Sequence, residues 1–365
     1  NVLAVVGQNN GNSTTLPKLL GQSYNILSVG RSDGYHTHGF TTEDGTGRVK
    51  PEIVTPQSAT SWAVPMVSAS AALLLETAID EGYGDAEENE TIRALIMAGA
   101  TKMEFLGDWD RTTTRPLDDH YGAGELNIFR SHQILTSGQQ VASDVMDAPL
   151  LGWDFRETTS DNHYFFEVPA DKVMAELSAV LVWNRIVTDT PGSGFYPQPQ
   201  TLDNLNLKLH SAQGFMLDAE LDASLSPVDN VEHIYLSALG NGNLLGPGRY
   251  ALEVVSPTDG VDYSLAWFGE LAEFHSWVST DAVADWDLAT NWTSVGTPND
   301  QWVVEIDNMY VAEGQHVVLS ADSSIYSAKL EGTVGNLTLE IPTGVTLSVK
   351  TGIRVGSDAV IQGDG

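Results

Sequence analysis

The sequence contains no cysteine in its 365 residues. This absence excludes disulfide cross-links, a thiolate nucleophile and any zinc site that is built on thiolate ligands. If the protein forms a covalent intermediate with a substrate, its nucleophile must therefore be an oxygen or a nitrogen.

Positive charge is also scarce, because 17 Lys and Arg residues face 49 Asp and Glu residues and the formal net charge is −32. Such a charge repels phosphate backbones and anionic lipid headgroups, so we expect no nucleic-acid partner. The acidic surface suits a protein secreted into salty or calcium-containing surroundings. A solvated acidic surface without any specific ligand explains it as well.

Long apolar runs are missing too. The longest run, 69–75, is far shorter than the ~20 residues that a membrane-spanning helix needs, so we expect no membrane span. The opening residues, NVLAVVGQNNG, show neither an initiator Met nor a charged and then apolar signal region. We therefore expect the sequence to begin inside a domain.

Three regions differ in their apolar pattern. In residues 1–137, short continuous apolar runs alternate with helix-like segments, which indicates an α/β three-layer domain with a parallel sheet. The apolar runs are 2–7, 25–30 and 52–56, and the helix-like segments are 62–79 and 90–99. Residues 138–269 alternate strictly, as in NLNLKLH (204–210), which predicts an antiparallel β-sandwich. Short alternating strands between Gly turns in 270–365 predict the start of a β-rich repeat or solenoid.

The most specific motif surrounds Ser61, at the start of a predicted helix in ATSWAVPMVSASAALLLE (59–76). The helix has no polar face, so we expect it to be buried on all sides, with Pro65 in its first turn. A serine before a helix often serves only as an N-cap.

The residues around this serine nevertheless match a pattern that a cap does not require. KPEIVTP (50–56) precedes it, and the matching positions after that segment are Thr60, Ser61, Ala63, Pro65 and Val67. Together they resemble the nucleophile region of subtilisin-like serine peptidases, although Gln57 and Ala59 replace two of the family's glycines. The resemblance implies that Ser61 is the catalytic nucleophile.

VLAVVGQNNG (2–11) resembles the strand of the same family that ends in Gly-Asn-x-Gly, whose asparagine amide donates to the oxyanion. Fitting the motif from its C-terminal end assigns this role to Asn9, with Asn10 and Gln8 as alternatives. An uncharged amide suits the role because it stabilises negative charge without giving up a proton. A turn rich in Asn and Gly explains the stretch equally well.

A serine hydroxyl also needs a base within hydrogen-bond reach. Neither His36, His38 nor His120 fits the motif of the family's base, and a metal site on His36 and His38 would lack a third ligand. Subtilisin-like enzymes carry their triad in the order Asp, His, Ser, so the resemblance implies a catalytic Asp and His upstream of residue 1. This chain alone is then expected to be inactive, and catalysis is expected to need no cofactor.

AVLVWN (179–184) and the strands after it resemble jelly-roll domains that follow subtilisin-like catalytic domains. Oxygen ligands for a structural Ca²⁺ are available in this region, although turn formation explains the same residues equally well. These residues are Asp203, Asn204, Asn206, Asp229 and Asn230. Trp286 and Trp292 lie in a segment that resembles the lead-in to repeats of secreted surface proteins, and we expect both in the core.

The sequence thus predicts a secreted or cell-surface serine endopeptidase that hydrolyses proteins or peptides through an acyl-enzyme on Ser61. The alternative is a non-catalytic surface or adhesion protein with a degenerate peptidase fold and polymer-binding β domains. Asp and His motifs of the family upstream of residue 1 would favour the enzyme, and their absence would favour the alternative.

Overall fold

The computed structural model describes residues 2–43, 45–105, 107–159, 162–188, 198–199, 201–239, 244–293, 296–308, 311–312 and 314–363. The chain divides into two compact units. Unit 1 comprises Asn1–Glu167, Leu177–Tyr235 and Gly248–Gly269. Unit 2 comprises Val168–Glu176, Leu236–Pro247 and Glu270–Gly365. The predicted boundaries at 137/138 and 269/270 stay a prediction.

The first elements along the chain are short strands followed by helices. They are β1 (Ala4–Gly7), β2 (Ile26–Arg31), β3 (Gly39–Phe40), β4 (Val49–Lys50), β5 (Ile53–Thr55), α1 (Thr60–Glu81), α2 (Asn89–Gly99) and α3 (Ile128–Thr136). Short 3₁₀ turns lie at Gly84–Glu87, Met103–Phe105 and Ala289–Asn291.

After α3 the described chain consists of strands and loops. The strands are β6 (Leu151–Glu157), β7 (Asn162–Val168), β8 (Val173–Trp183), β9 (Val187–Thr188), β10 (Gln198–Pro199), β11 (Asn206–Gln213), β12 (Met216–Ser224), β13 (Val231–Ser237), β14 (Gly248–Val255), β15 (Asp262–Ser276), β16 (Val283–Asp285), β17 (Trp302–Asp307), β18 (Gln315–Val318), β19 (Ser323–Glu331), β20 (Leu337–Ile341), β21 (Leu347–Val355) and β22 (Ala359–Gly363).

A small parallel sheet carries the residues of interest in unit 1. Its order is β1-β2-β5, and both pairings are parallel. Helix α1 contacts all three strands and also contacts α2 and α3. Gly7 ends β1 close to this helix, because a Cβ there would lie 3.0 Å from Val64 Cγ2. The glycine therefore allows the start of α1 to approach the end of β1.

The predicted fold class, an α/β three-layer domain with a parallel sheet leading into two β regions, is wrong. Among the described residues, 44% lie in strands and 15% in helices, and the strands form several separate sheets. A doubly wound sheet needs a helical crossover between parallel strands, yet residues 8–25, between β1 and β2, form only turns and bridges. Their Asn, Ser, Thr and Gly residues favour turns over a helix.

The prediction that α1 is buried on all sides is also wrong. Only one side of the helix is buried, and it carries Ala63, Val67, Leu74 and Ala78, which recur at helical spacing. The opposite side is apolar but exposed, with Trp62, Leu73 and Ile79 exposed by 62%, 56% and 56%. An apolar sequence shows which side chains can be buried, whereas the neighbouring elements decide which ones are.

Helix α1 is also longer than the apolar run noted in the sequence. It has 22 residues, and its most apolar stretch has a mean hydropathy of 1.5. By length and composition the helix could therefore cross a membrane. Of that apolar stretch, 33% is buried in the protein. A core helix of a globular protein has the same properties. The helix begins at Thr60, which places Pro65 in its second turn and not in its first.

The core of unit 1 extends beyond residue 137. Side chains of β2, β5, α1, α2 and α3 pack in one buried cluster with Trp153, Val180, Val231 and Ala266. In the same unit, β11 pairs antiparallel with β12 and β14. Strand β6 pairs antiparallel with the first half of β15.

Unit 2 is built mainly of parallel ladders. One ladder joins the end of β15 to β17, β19 and β21, and the other joins β16, β18, β20 and β22. Trp286 and Trp292 are buried in the apolar cluster of this unit, as expected from the sequence. Within that cluster the indole N–H of Trp292 donates to the Trp286 carbonyl at 2.8 Å.

Candidate functional site at the carboxyl edge of the parallel sheet

The three parallel strands of unit 1 end at the same edge of the sheet. Open α/β sheets bind ligands outside the carboxyl ends of their strands, where the loops converge. Here β1 leads into Gln8–Asn10, β2 into Ser32 and Asp33, and β5 into the loop 56–59 before α1. Residues far apart in the chain therefore meet at this edge.

Ser61 is the second residue of α1 and is exposed. The N-cap position belongs to Ala59, whose side chain makes no capping hydrogen bond, so Ser61 is not the N-cap. Within the described residues, neither its hydroxyl nor its backbone N–H has a hydrogen-bond partner. Pro65 has no N–H to donate to the Ser61 carbonyl, the acceptor four residues before it.

The missing cap of α1 is supplied by Asn10, from the loop after β1. Its Oδ1 accepts a hydrogen bond from the Thr60 N–H at 2.9 Å and one from the Thr60 hydroxyl at 3.3 Å. Because Oδ1 is occupied in this way, the amide NH₂ of Asn10 is the group that can still donate. Among the described residues it has no partner. Thr60, which Asn10 contacts, is the residue directly before Ser61.

The other two candidate amides have different surroundings. Asn9 is exposed, and its backbone is held by Thr37, whose N–H donates to the Asn9 carbonyl at 2.8 Å and whose Oγ1 accepts from the Asn9 N–H at 3.1 Å. Gln8 is buried, and its amide donates to the Gly21 carbonyl at 3.0 Å. Of the three residues, Asn10 is the one whose side chain contacts the neighbour of Ser61, and the assignment of the oxyanion role to Asn9 stays a prediction.

The histidines nearest in sequence form a cluster of their own. The rings of His38 and His120 stack with 3.8 Å between centroids, and His36 lies 5.4 Å from His120. His36 Nδ1 accepts from the Arg31 N–H at 3.1 Å, and its Nε2 donates to the His120 carbonyl at 2.9 Å. Both ring nitrogens of His36 are thus occupied.

The two other histidines are occupied at Nε2 as well. His120 donates to the Gly34 carbonyl at 2.9 Å, and His38 pairs with Asn12 Oδ1 at 3.1 Å. Desolvation lowers the pKa of His36 to about 4 and also lowers the pKa of His38. In the part of the chain that the structure describes, no three His, Asp or Glu side chains are arranged to hold a metal ion.

The calcium prediction stays a prediction, but two of its residues have other contacts. The amide of Asn230 donates to the Trp183 carbonyl at 2.7 Å. Desolvation raises the pKa of Asp229 to about 6, and the cations Lys50 and Arg48 oppose that shift. Nearby cations disfavour a Ca²⁺ at Asp229.

Sequence reasoning missed a buried ionic cluster at the amino end of β5, the end of that strand away from the loop 56–59. Glu52 accepts from Lys50 and from the Ser28 N–H at 2.5 Å, and it lies 3.7 Å from Arg93. All three charged side chains are almost fully buried. The KPEIVTP segment contained two of them, but only the fold brings Arg93 to the pair.

Comparison with known proteins adds little to this geometry. No protein-family profile matches the chain, and no curated protein matches it. A solved structure that it resembles is a serine protease of Aeromonas sobria, with 14% sequence identity, a TM-score of 0.23 and coverage of 73% of this chain and 65% of that chain. The match spans less than two thirds of that protease, and a TM-score this low supports no conclusion about the fold.

Proposed function

We propose that this chain belongs to a secreted serine endopeptidase of subtilisin-like type, in which Ser61 is the nucleophile. The observation that carries the proposal is the contact between Thr60 and Asn10, which joins an uncharged amide to the residue before Ser61 across 50 residues of sequence. Protein or peptide chains are the proposed substrates. No cofactor is needed for this chemistry.

In the proposed reaction, Ser61 Oγ attacks the carbonyl carbon of the scissile peptide bond and its proton passes to a base. The carbonyl oxygen becomes an oxyanion, which the Asn10 amide and the Ser61 N–H stabilise. Both donors lack other partners among the described residues, and the Ser61 N–H is one of the unpaired donors of a helix start. The tetrahedral intermediate then releases the amine and leaves an acyl-enzyme on Ser61.

The base is proposed to be a histidine, oriented by an aspartate, from a segment upstream of residue 1. His36, His38 and His120 do not fit this role, since each uses Nε2 in a contact within the histidine cluster or its loops. A base must instead accept the Ser61 proton within ~2.6–3.2 Å.

The test is labelling of the full-length protein with an active-site-directed fluorophosphonate, followed by mass spectrometry of tryptic peptides. We expect the label on Ser61 alone, because only a base-activated hydroxyl beside oxyanion donors reacts quickly. Ser61→Ala should abolish labelling. Ser68→Ala, a change in the same helix, should leave it intact. An unlabelled protein, or a label on another serine, would refute the proposal and favour the non-catalytic surface protein.

A further inference from the structure

A pocket of about 590 Å³ lies at the carboxyl ends of β2 and β5. Its lining residues are Ser32, Asp33, Pro56, Gln57, Ser58 and Glu125. This volume falls within the range of small-molecule and side-chain binding pockets.

The pocket adjoins the nucleophile through the chain itself. Pro56, Gln57 and Ser58 form the loop that leads from β5 into α1, so the pocket wall ends three residues before Ser61. Glu125, another lining residue, is held in place by the backbone pairing of its two neighbours with β5. The Val54 N–H donates to the Gly124 carbonyl at 3.0 Å, and the Leu126 N–H donates to the Val54 carbonyl at 2.9 Å.

The two carboxylates of the pocket differ in their partners. Asp33 accepts from the Arg31 guanidinium and from the Tyr35 N–H at 3.0 Å. Desolvation acts to raise the pKa of Asp33, but these two donors outweigh it and lower that pKa. Glu125 is half-buried, and its side chain has no partner within the described ranges. One negative charge in the pocket is therefore uncompensated.

A second group in the pocket also lacks a partner. The Ser32 hydroxyl oxygen is buried and makes no hydrogen bond with any described residue. The Ser32 oxygen is closed off from solvent, so the acceptor that the pocket offers to a group with several N–H donors is the Glu125 carboxylate.

We propose that this pocket binds the basic side chain, lysine or arginine, of a substrate residue close to the scissile bond. An apolar side chain would desolvate Glu125 without pairing it, which is unfavourable. An ammonium or guanidinium group compensates that charge and donates hydrogen bonds to the carboxylate oxygens. Glu125 is then a specificity-determining residue. This inference rests on the proposed peptidase function.

The first experiment measures binding and needs no turnover. n-Butylguanidinium is titrated into the full-length Ser61→Ala protein, and shifts of its NMR resonances are followed. We expect saturable binding that weakens at least about 10-fold in Glu125→Gln, the value of a hydrogen bond to a charged group. Glu76→Gln, which removes an exposed carboxylate on α1, is the matched control and should bind as tightly as its parent. No saturable binding, or equal binding by Glu125→Gln, overturns the inference.

The second experiment compares kcat/KM of the active full-length protein on a peptide library. We expect a preference of about 10–100-fold for Lys or Arg over norleucine at one position. Glu125→Gln should lower kcat/KM for the basic peptides alone, and Glu125→Lys should shift the preference toward Asp or Glu. Normal Ser61 labelling without any basic preference refutes the pocket assignment and leaves the peptidase proposal standing. Absent labelling refutes the peptidase proposal, and the binding experiment then decides whether the pocket takes a cation.

Discussion

The buried carboxylate of Glu52 allows the sharpest test of what holds the candidate site together. Glu52 faces two cations that are themselves buried, Lys50 and Arg93. The substitution Glu52→Gln keeps the size of the side chain and one oxygen to accept the Ser28 N–H. It removes only the charge, so both cations lose the carboxylate nearest to them, while the charge of Asp229 still acts on both.

The expected loss follows from this geometry. Removing one partner of a buried ion pair destabilises a protein by about 3–5 kcal/mol, because the remaining charge stays desolvated. For domains of 150–250 residues, each kcal/mol lowers Tm by about 2–4 °C, so Tm should fall by about 6–20 °C. Burial already lowers the pKa of Lys50, while the Glu52 charge raises it. Without that charge Lys50 releases its proton more easily, so the loss should be smaller at high pH.

The assay is thermal unfolding of the wild type, Glu52→Gln and the exposed control Glu76→Gln, followed by circular dichroism at neutral and alkaline pH. We expect the control to unfold with the wild type and Glu52→Gln to unfold earlier, with a gap that narrows as pH rises. If Glu52→Gln matches the control at neutral pH, the buried network does not stabilise the parallel sheet and the reasoning fails.

Two further predictions concern the site and the pH response. In the active full-length enzyme, Asn10→Ala should lower kcat by ~10²–10³ with little change in KM, because the amide acts mainly in the transition state. A comparable loss in Asn9→Ala, with Asn10→Ala unaffected, would return the role to Asn9. The Glu253 carboxylate, with Asp144, raises the pKa of His163 to about 9. Because the folded pKa exceeds the ordinary value, this stabilisation is complete below pH 6.5 and is lost as pH rises through about 9. The free energy of unfolding, measured with urea across this pH range, should decline as pH rises, and His163→Gln should reduce that decline. An unchanged decline in the variant would contradict the assignment.

Local chemistry could be predicted from the sequence where it depends on neighbouring residues. The absence of cysteine restricted the nucleophile, and the segment before Ser61 indicated a strand, a short turn and a helix start in that order. The two tryptophans of unit 2 are buried as expected. Each of these inferences needs only composition or the spacing of nearby side chains.

The fold class could not be predicted in the same way. Apolar runs marked strands correctly at β1, β2 and β5, but they did not show that the connections between them are turns and loops. The run in α1 was apolar on every side, and sequence alone could not show that one side faces solvent. Burial depends on which other elements pack against a segment, and that information is spread over the whole chain.

The sequence by itself determined that a serine stands at the start of an apolar helix, that thiol chemistry is excluded and that the chain is strongly acidic. Only the tertiary structure decided that Asn10 caps that helix, that Glu52 joins Lys50 to Arg93, and that Glu125 and Ser32 line one pocket. Apart from Lys50 and Glu52, these partners are distant in sequence. They meet because segments far apart in the chain lie side by side in one parallel sheet and in the loops and helices packed against it.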